Sequence, residues 1–131
     1  MLDQQHIDEF DRDGFLTVGN LLSAVEVAEL SHALDQVLAK GPEGFAEEEP
    51  QPVSFRSLSG DEKHPVWQIV NIWEAMPAFE KLIYHPAIVE GISQLAGQQD
   101  LMVWHDQIQY KPAQYGGSTR WHQDAPLWPI I

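Results

Sequence analysis

The stretch Leu101-Met102-Val103-Trp104-His105-Asp106-Gln107-Ile108-Gln109-Tyr110-Lys111 decides how the chain is read. Successive side chains of a strand point to opposite faces, and alternation over this length predicts the longest strand of the molecule. Met102, Trp104, Ile108 and Tyr110 fall on one face; Leu101, Val103, His105, Gln107, Gln109 and Lys111 fall on the other. That second face begins apolar and ends polar. A strand that buries a polar half lines a cavity, because buried amides and ammonium groups need partners such as ligand oxygens or water.

Upstream of the strand the pattern changes to helical spacing. Ile7 and Phe10 predict a first helix of about two turns, stopped at Asp13-Gly14 by a glycine. Phe15 to Val18 reads as a short strand. Ser23 followed by Glu26 has the spacing of a capping box, and Val27, Leu30, Leu34, Val37 and Leu38 recur at helical intervals until Gly41. Residues 41–65 gather prolines, glycines and the run Glu47-Glu48-Glu49, a composition that favours a loop with a solvated acidic face. Trp67, Ile69, Val70 and Ile72 predict an extended segment. Residues 77–97 read as helical turns punctuated by Pro86 and closed by glycine, with Leu82, Ile83, Ile88, Ile92 and Leu95 toward the core. Helices first and strands last point to an α+β arrangement with helices on one face of a sheet.

Downstream, residues 112–118 form a loop with a Gly116-Gly117 pair, and residues 119–124 start another strand. Its residues Trp121-His122-Gln123-Asp124 carry the candidate chemistry. Residues two apart on a strand point to the same side, so the His122 imidazole and the Asp124 carboxylate would converge. One neutral nitrogen donor and one anionic oxygen donor make two thirds of the facial triad that leaves open positions on iron(II). A bare His-x-Asp also arises by chance as a surface hydrogen-bonded pair, so context has to decide.

Composition narrows the field. The chain has 131 residues and no cysteine, with seven Lys and Arg against twenty Asp and Glu for a net charge of −13. Disulfides, thiolate metal sites and cysteine nucleophiles are excluded, so any metal is held by His, Asp or Glu. The charge repels a phosphate backbone and anionic lipid alike, which argues against nucleic acid and membrane surfaces as partners. No apolar run reaches the roughly 20 residues that span a bilayer, and the N-terminus lacks signal-peptide features, so a cytoplasmic location is expected.

The context resembles the phytanoyl-CoA dioxygenase family across nearly the whole chain. The resemblance is carried by Phe10-Asp11-Arg12-Asp13-Gly14-Phe15, the capped helix after Leu21-Leu22, Asn71-Ile72-Trp73 and His85-Pro86. It continues in Gln107-Ile108-Gln109-Tyr110-Lys111-Pro112, a glycine loop and Trp121-His122-Gln123-Asp124. It implies one domain over residues 1–131: helices to about residue 97 packed on the first strands, about 101–131, of a double-stranded β-helix of the jelly-roll or cupin type. The barrel would be incomplete here. It further implies iron(II), 2-oxoglutarate as co-substrate, and hydroxylation of a small organic or thioester substrate with release of succinate and carbon dioxide. His122 and Asp124 match two iron ligands, Gln107 a position against the co-substrate, and Trp128 an aromatic position bordering the substrate. Related halogenases replace the motif's carboxylate with a small residue; Asp124 is present, which favours hydroxylation.

The family's distal His ligand and its 2-oxoglutarate-binding basic residue lie beyond Ile131, so this chain alone is expected not to turn over. A missing C-terminal half or a second copy would complete it. The competing reading is a non-catalytic acidic interaction module in which the pair is incidental. Among the remaining residues, His105 reads as a hydrogen-bonded cavity or core histidine, His6, His32, His64 and His85 as structural, and Trp67, Trp73 and Trp121 as core aromatics. Lys111 and Arg120 are each as compatible with an exposed position as with contact to a ligand.

Overall fold

The computed structural model describes residues 2–118 and 120–124. Its elements, in chain order, are α1 (Gln4–Asp13), α2 (Ala24–Lys40), β1 (Ser54–Ser57), β2 (Trp67–Val70), a 3-10 turn (Ile72–Glu74), α3 (Pro77–Ile83), α4 (Pro86–Ala96) and β3 (Gln107–Tyr110). The strands form one antiparallel sheet in the order β1-β2-β3. Helices with a small open sheet make an α+β fold.

Register explains where the core lies. Phe55, Ile69 and Ile108 stand side by side across the three strands, and their side chains share one face because the strand period is two. Ile69 is fully buried; with Ile72, Ala33 and Val37 of α2 and Phe79 of α3 it forms one apolar cluster, against which Leu30, Leu34, Phe55, Leu82 and Ile108 pack. Phe55 and Trp67 meet edge to face at 5.0 Å. The opposite face carries Arg56, Gln68, Gln107 and Gln109, of which only Gln68 is partly covered.

Helix ends follow the local chemistry. Ser23 caps α2 as its spacing predicts: its Oγ accepts from the Glu26 amide at 3.3 Å, while the Glu26 carboxylate accepts from the Ser23 amide at 2.7 Å and hydroxyl at 2.6 Å. Asp3 and His6 build a second capping box on α1, which ends at Gly14 with φ +76°. Pro77 and Pro86 open α3 and α4, where a missing N–H costs nothing. The amide side chain of Gln94 on α4 pairs with both the N–H and the carbonyl of Leu2, at 3.0 and 3.3 Å, so α4 is tied to the start of α1.

Four sequence expectations need correction. Residues 15–18 are not a strand; no neighbouring strand pairs with them, and Phe15 is exposed. Residues 101–106 lie outside β3, because β2 ends at Val70 and Asn71 turns away at φ +55°. With no ladder to join, Met102 and Trp104 stay exposed. β1 lies inside the segment read as loop, its single apolar anchor Phe55 being too little to signal a strand. Ile92 faces solvent, since α4 packs toward α1 and has no buried residue. Among the described residues no helix is long and apolar enough to cross a membrane.

The Glu26 carboxyl is held below the usual glutamate range, first by its bonds to the Ser23 hydroxyl and amide and then by nearby His85. A depressed carboxyl stabilises the fold above its unfolded-state value, and that contribution disappears as pH falls through the folded-state value. Ser23→Ala is expected to cost about 1 kcal/mol in urea unfolding at neutral pH. The stability gap between wild type and Glu26→Gln should close as pH drops below the usual carboxylate range.

Candidate metal centre

β3 leaves the sheet at Tyr110, and the following loop is pinned at three points. Lys111 Nζ donates to the Gly117 carbonyl at 3.0 Å, closing the loop on itself. Tyr115 stacks on His64 with ring centroids 3.5 Å apart and planes within 5°, while His64 Nδ1 lies 3.0 Å from Asp61. Gly116, at φ +111°, passes so close to Val66 that an added Cβ would stand 3.3 Å from its methyl group. Bonds to the His64 side chain, and then to the Lys63 amide, hold the Asp61 carboxyl below the usual aspartate range. The segment that follows therefore leaves from a fixed point on the sheet.

His122 and Asp124 come together in that segment, with Nε2 and Oδ1 3.4 Å apart. They do so without a strand: residues 120–124 pair with no ladder, contrary to the sequence expectation. A bend at Asp124 and the contact of the His122 ring with the Arg120 carbonyl accompany the approach. His122 Nδ1 lies 2.8 Å from the Arg120 carbonyl oxygen. A carbonyl only accepts, so Nδ1 donates, and Nε2 is the ring nitrogen that faces the carboxylate. Either a proton on Nε2 or a bound cation lets this nitrogen and the carboxylate face each other at that distance. A separation of 3.4 Å is short enough for an ion about 2.0–2.2 Å from each to bridge. The donor set and its separation thus fit a divalent metal. Both side chains are more than half exposed, and among the described residues no third His, Asp or Glu completes a group with them.

Gln107 sits at the start of β3 on the open face of the sheet, exposed, its Oε1 accepting from Gln68 Nε2 at 2.9 Å. Gln68 Oε1 in turn accepts from Arg56 Nε at 2.8 Å. No hydrogen bond among the described residues joins Gln107 to His122 or Asp124. Trp128 lies outside the described residues. Trp121 is fully exposed rather than a core aromatic, because no described element packs over it. Trp67 and Trp73 do pack against the core. Beside Gln107, burial pushes the Asp106 carboxyl up against the pull of the Ile72 and Trp73 amides. Arg56 and Gln68 escaped the sequence reading. Parity was an available signal for Gln68, a polar residue between Trp67 and Ile69, whereas Arg56 lies in a stretch whose one apolar anchor does not signal a strand.

A cavity of about 250 Å³ between α2 and α3, lined by Leu22, Glu26, Lys81 and His85, shares no residue with the pair.

A family model described as phytanoyl-CoA dioxygenase matches residues 10–130. Among curated proteins, the chain is 29% identical over 126 residues to an ectoine dioxygenase of Streptomyces coelicolor, covering 93% of this chain and 38% of that protein. An ectoine dioxygenase of Stutzerimonas stutzeri is 28% identical, with 95% and 38% covered, and one of Halomonas elongata is 27% identical, with 97% and 36% covered. The chain therefore spans less than two fifths of the length of these relatives. No solved structure matches it.

The stack of Tyr115 on His64 holds the loop that carries the pair. Tyr115→Ala is expected to cost about 1 kcal/mol of stability and to speed amide hydrogen exchange selectively over residues 112–118, measured by mass spectrometry.

Proposed function

Since the chain belongs to the phytanoyl-CoA dioxygenase family, we propose that it is the N-terminal part of a cytoplasmic iron(II)- and 2-oxoglutarate-dependent dioxygenase that hydroxylates a small organic substrate. One observation carries the reading: His122 Nε2 and Asp124 Oδ1 stand 3.4 Å apart while His122 Nδ1–H donates to the Arg120 carbonyl oxygen. In this reading residues 1–131 are one domain, and its open sheet is the first part of a double-stranded β-helix.

The residues divide the work. His122 offers Nε2 while its Nδ1–H donates to the Arg120 carbonyl from behind, the usual arrangement for a metal-bound histidine. Asp124 offers the anionic oxygen that offsets the charge of the ion. Gln107 stands against the co-substrate, and Trp128 borders the substrate. When bound, iron(II) would bring together 2-oxoglutarate and dioxygen, the oxidant, so that one oxygen atom enters the substrate C–H bond and the other enters succinate as carbon dioxide leaves. Two protein donors do not fix a facial geometry. Turnover therefore needs a third donor and a cation for the far carboxylate, from chain beyond these residues or from a second copy. The names of the relatives make ectoine the first substrate to try, with an acyl thioester as the contrast.

The 131-residue chain is expected to bind cobalt(II) weakly at His122, seen as a shift of its imidazole signals that His122→Ala abolishes. It should form no succinate from 2-oxoglutarate with iron(II) and ascorbate, whereas a version extended through a downstream His and Arg should. Robust succinate formation by the 131-residue chain, lost in His122→Ala, would refute the need for a further ligand. Absence of any metal-dependent shift at His122 would remove the metal assignment.

A further inference from the structure

Three side chains, one from each strand, form a hydrogen-bonded row on the open face of the sheet. Arg56 Nε donates to Gln68 Oε1 at 2.8 Å, and Gln68 Nε2 donates to Gln107 Oε1 at 2.9 Å. The register sets Gln109, not Gln107, directly across from Gln68. The second bond is therefore a diagonal one, within reach only of long side chains.

The direction of the row is forced by its first member. A glutamine amide has an acceptor end and a donor end of nearly the same shape, so an unrestrained glutamine serves either kind of partner by rotating. Arginine has donors only and keeps its charge at any pH the fold survives. Arg56 therefore demands the oxygen of Gln68. That turns the Gln68 NH2 group toward β3, where it can only donate, so Gln107 presents its oxygen inward along the row. The Gln107 NH2 group is left at the end, with no partner among the described residues.

Building on the reading that Gln107 borders the co-substrate, we infer that Arg56 is a positioning residue that sets the Gln107 amide donor-outward, so the ligand beside it is one that presents an oxygen acceptor, a carboxylate above all. Arg56 acts across two strands through Gln68. It selects the polarity of the site rather than supplying charge to it. A ligand offering an ammonium group at this point would meet the wrong end of the amide.

The test reverses the polarity at its source in the full chain. Lysine at position 56 still donates, whereas glutamate accepts and draws the Gln68 NH2 group to itself, leaving the Gln107 oxygen outward. Side-chain amide signals of Gln68 and Gln107 in nitrogen-15 spectra should be retained in Arg56→Lys and moved together in Arg56→Glu. With zinc(II) as a redox-inert ion, 2-oxoglutarate should bind about tenfold more weakly to Arg56→Glu, the loss of one hydrogen bond to a charged group. The loss should persist at about 1 M salt, where a bare charge effect is screened within about 3 Å. Gln107 signals indifferent to Arg56→Glu would overturn the inference whether or not 2-oxoglutarate binds, as would a loss of affinity equally large in Arg56→Lys. If instead the signals move but Gln107→Ala leaves 2-oxoglutarate binding unchanged, the positioning role stands and the placement of the co-substrate beside Gln107 falls.

Discussion

Everything in this molecule is organised about Ile69, which has no exposed surface and sits mid-strand between Phe55 and Ile108. A strand cannot place neighbouring side chains on the same face. Once Ile69 is driven into the cluster with Val37, Ile72 and Phe79, its neighbour Gln68 is committed to the other side, and so are Arg56, Gln107 and Gln109 on the flanking strands. The apolar half of the sheet is covered by α2 and α3. The polar half is thereby held open as a flat array of donors and acceptors on a rigid base. The polarity of this face is a by-product of the core on the other.

The brevity of β2 sets the second constraint. Asn71, in the left-handed region at φ +55°, diverts the chain into a 3-10 turn after four paired residues, and its amide takes the Asp106 carbonyl as the last link to the neighbouring segment. Residues 101–106 alternate as well as any strand but find no ladder beyond that point. Local pattern is a property of one segment, whereas pairing needs two of matching length. The strand that sequence places at 101–111 therefore contracts to Gln107–Tyr110; its alternation survives, with Ile108 on the core, but Gln107, read as lining a cavity, lies exposed on the open face.

Local signals were legible and long-range ones were not. The Ser23–Glu26 box, the glycine stop at Gly14 and the break at Pro86 all involve residues within a turn of one another, and each stands where spacing puts it. His122 and Asp124 do approach one another, but for a reason other than the expected strand, since residues 120–124 join no ladder and the chain bends at Asp124. Arg56 could not be found in this way. Its partner lies twelve residues away and the relay ends on β3, so only the register of a three-stranded sheet brings it to notice. Trp121 shows the same limit, because aromatic character suggests burial and says nothing of what is available to do the burying.

β1 and β3 are both edge strands of the described sheet. An edge offers unpaired amides and carbonyls to any other edge it meets, which is how sheets of separate molecules fuse. Natural proteins blunt such edges with covering chain or with lysine; here only β1 carries a charge within the strand itself, Arg56. Among the described residues the remaining protection is collective. With a net charge of −13 on 131 residues, copies repel one another before their edges come within bonding distance. Colloidal behaviour is therefore tied to ionic strength and to acidification, either of which weakens that repulsion while leaving the edges as adhesive as before.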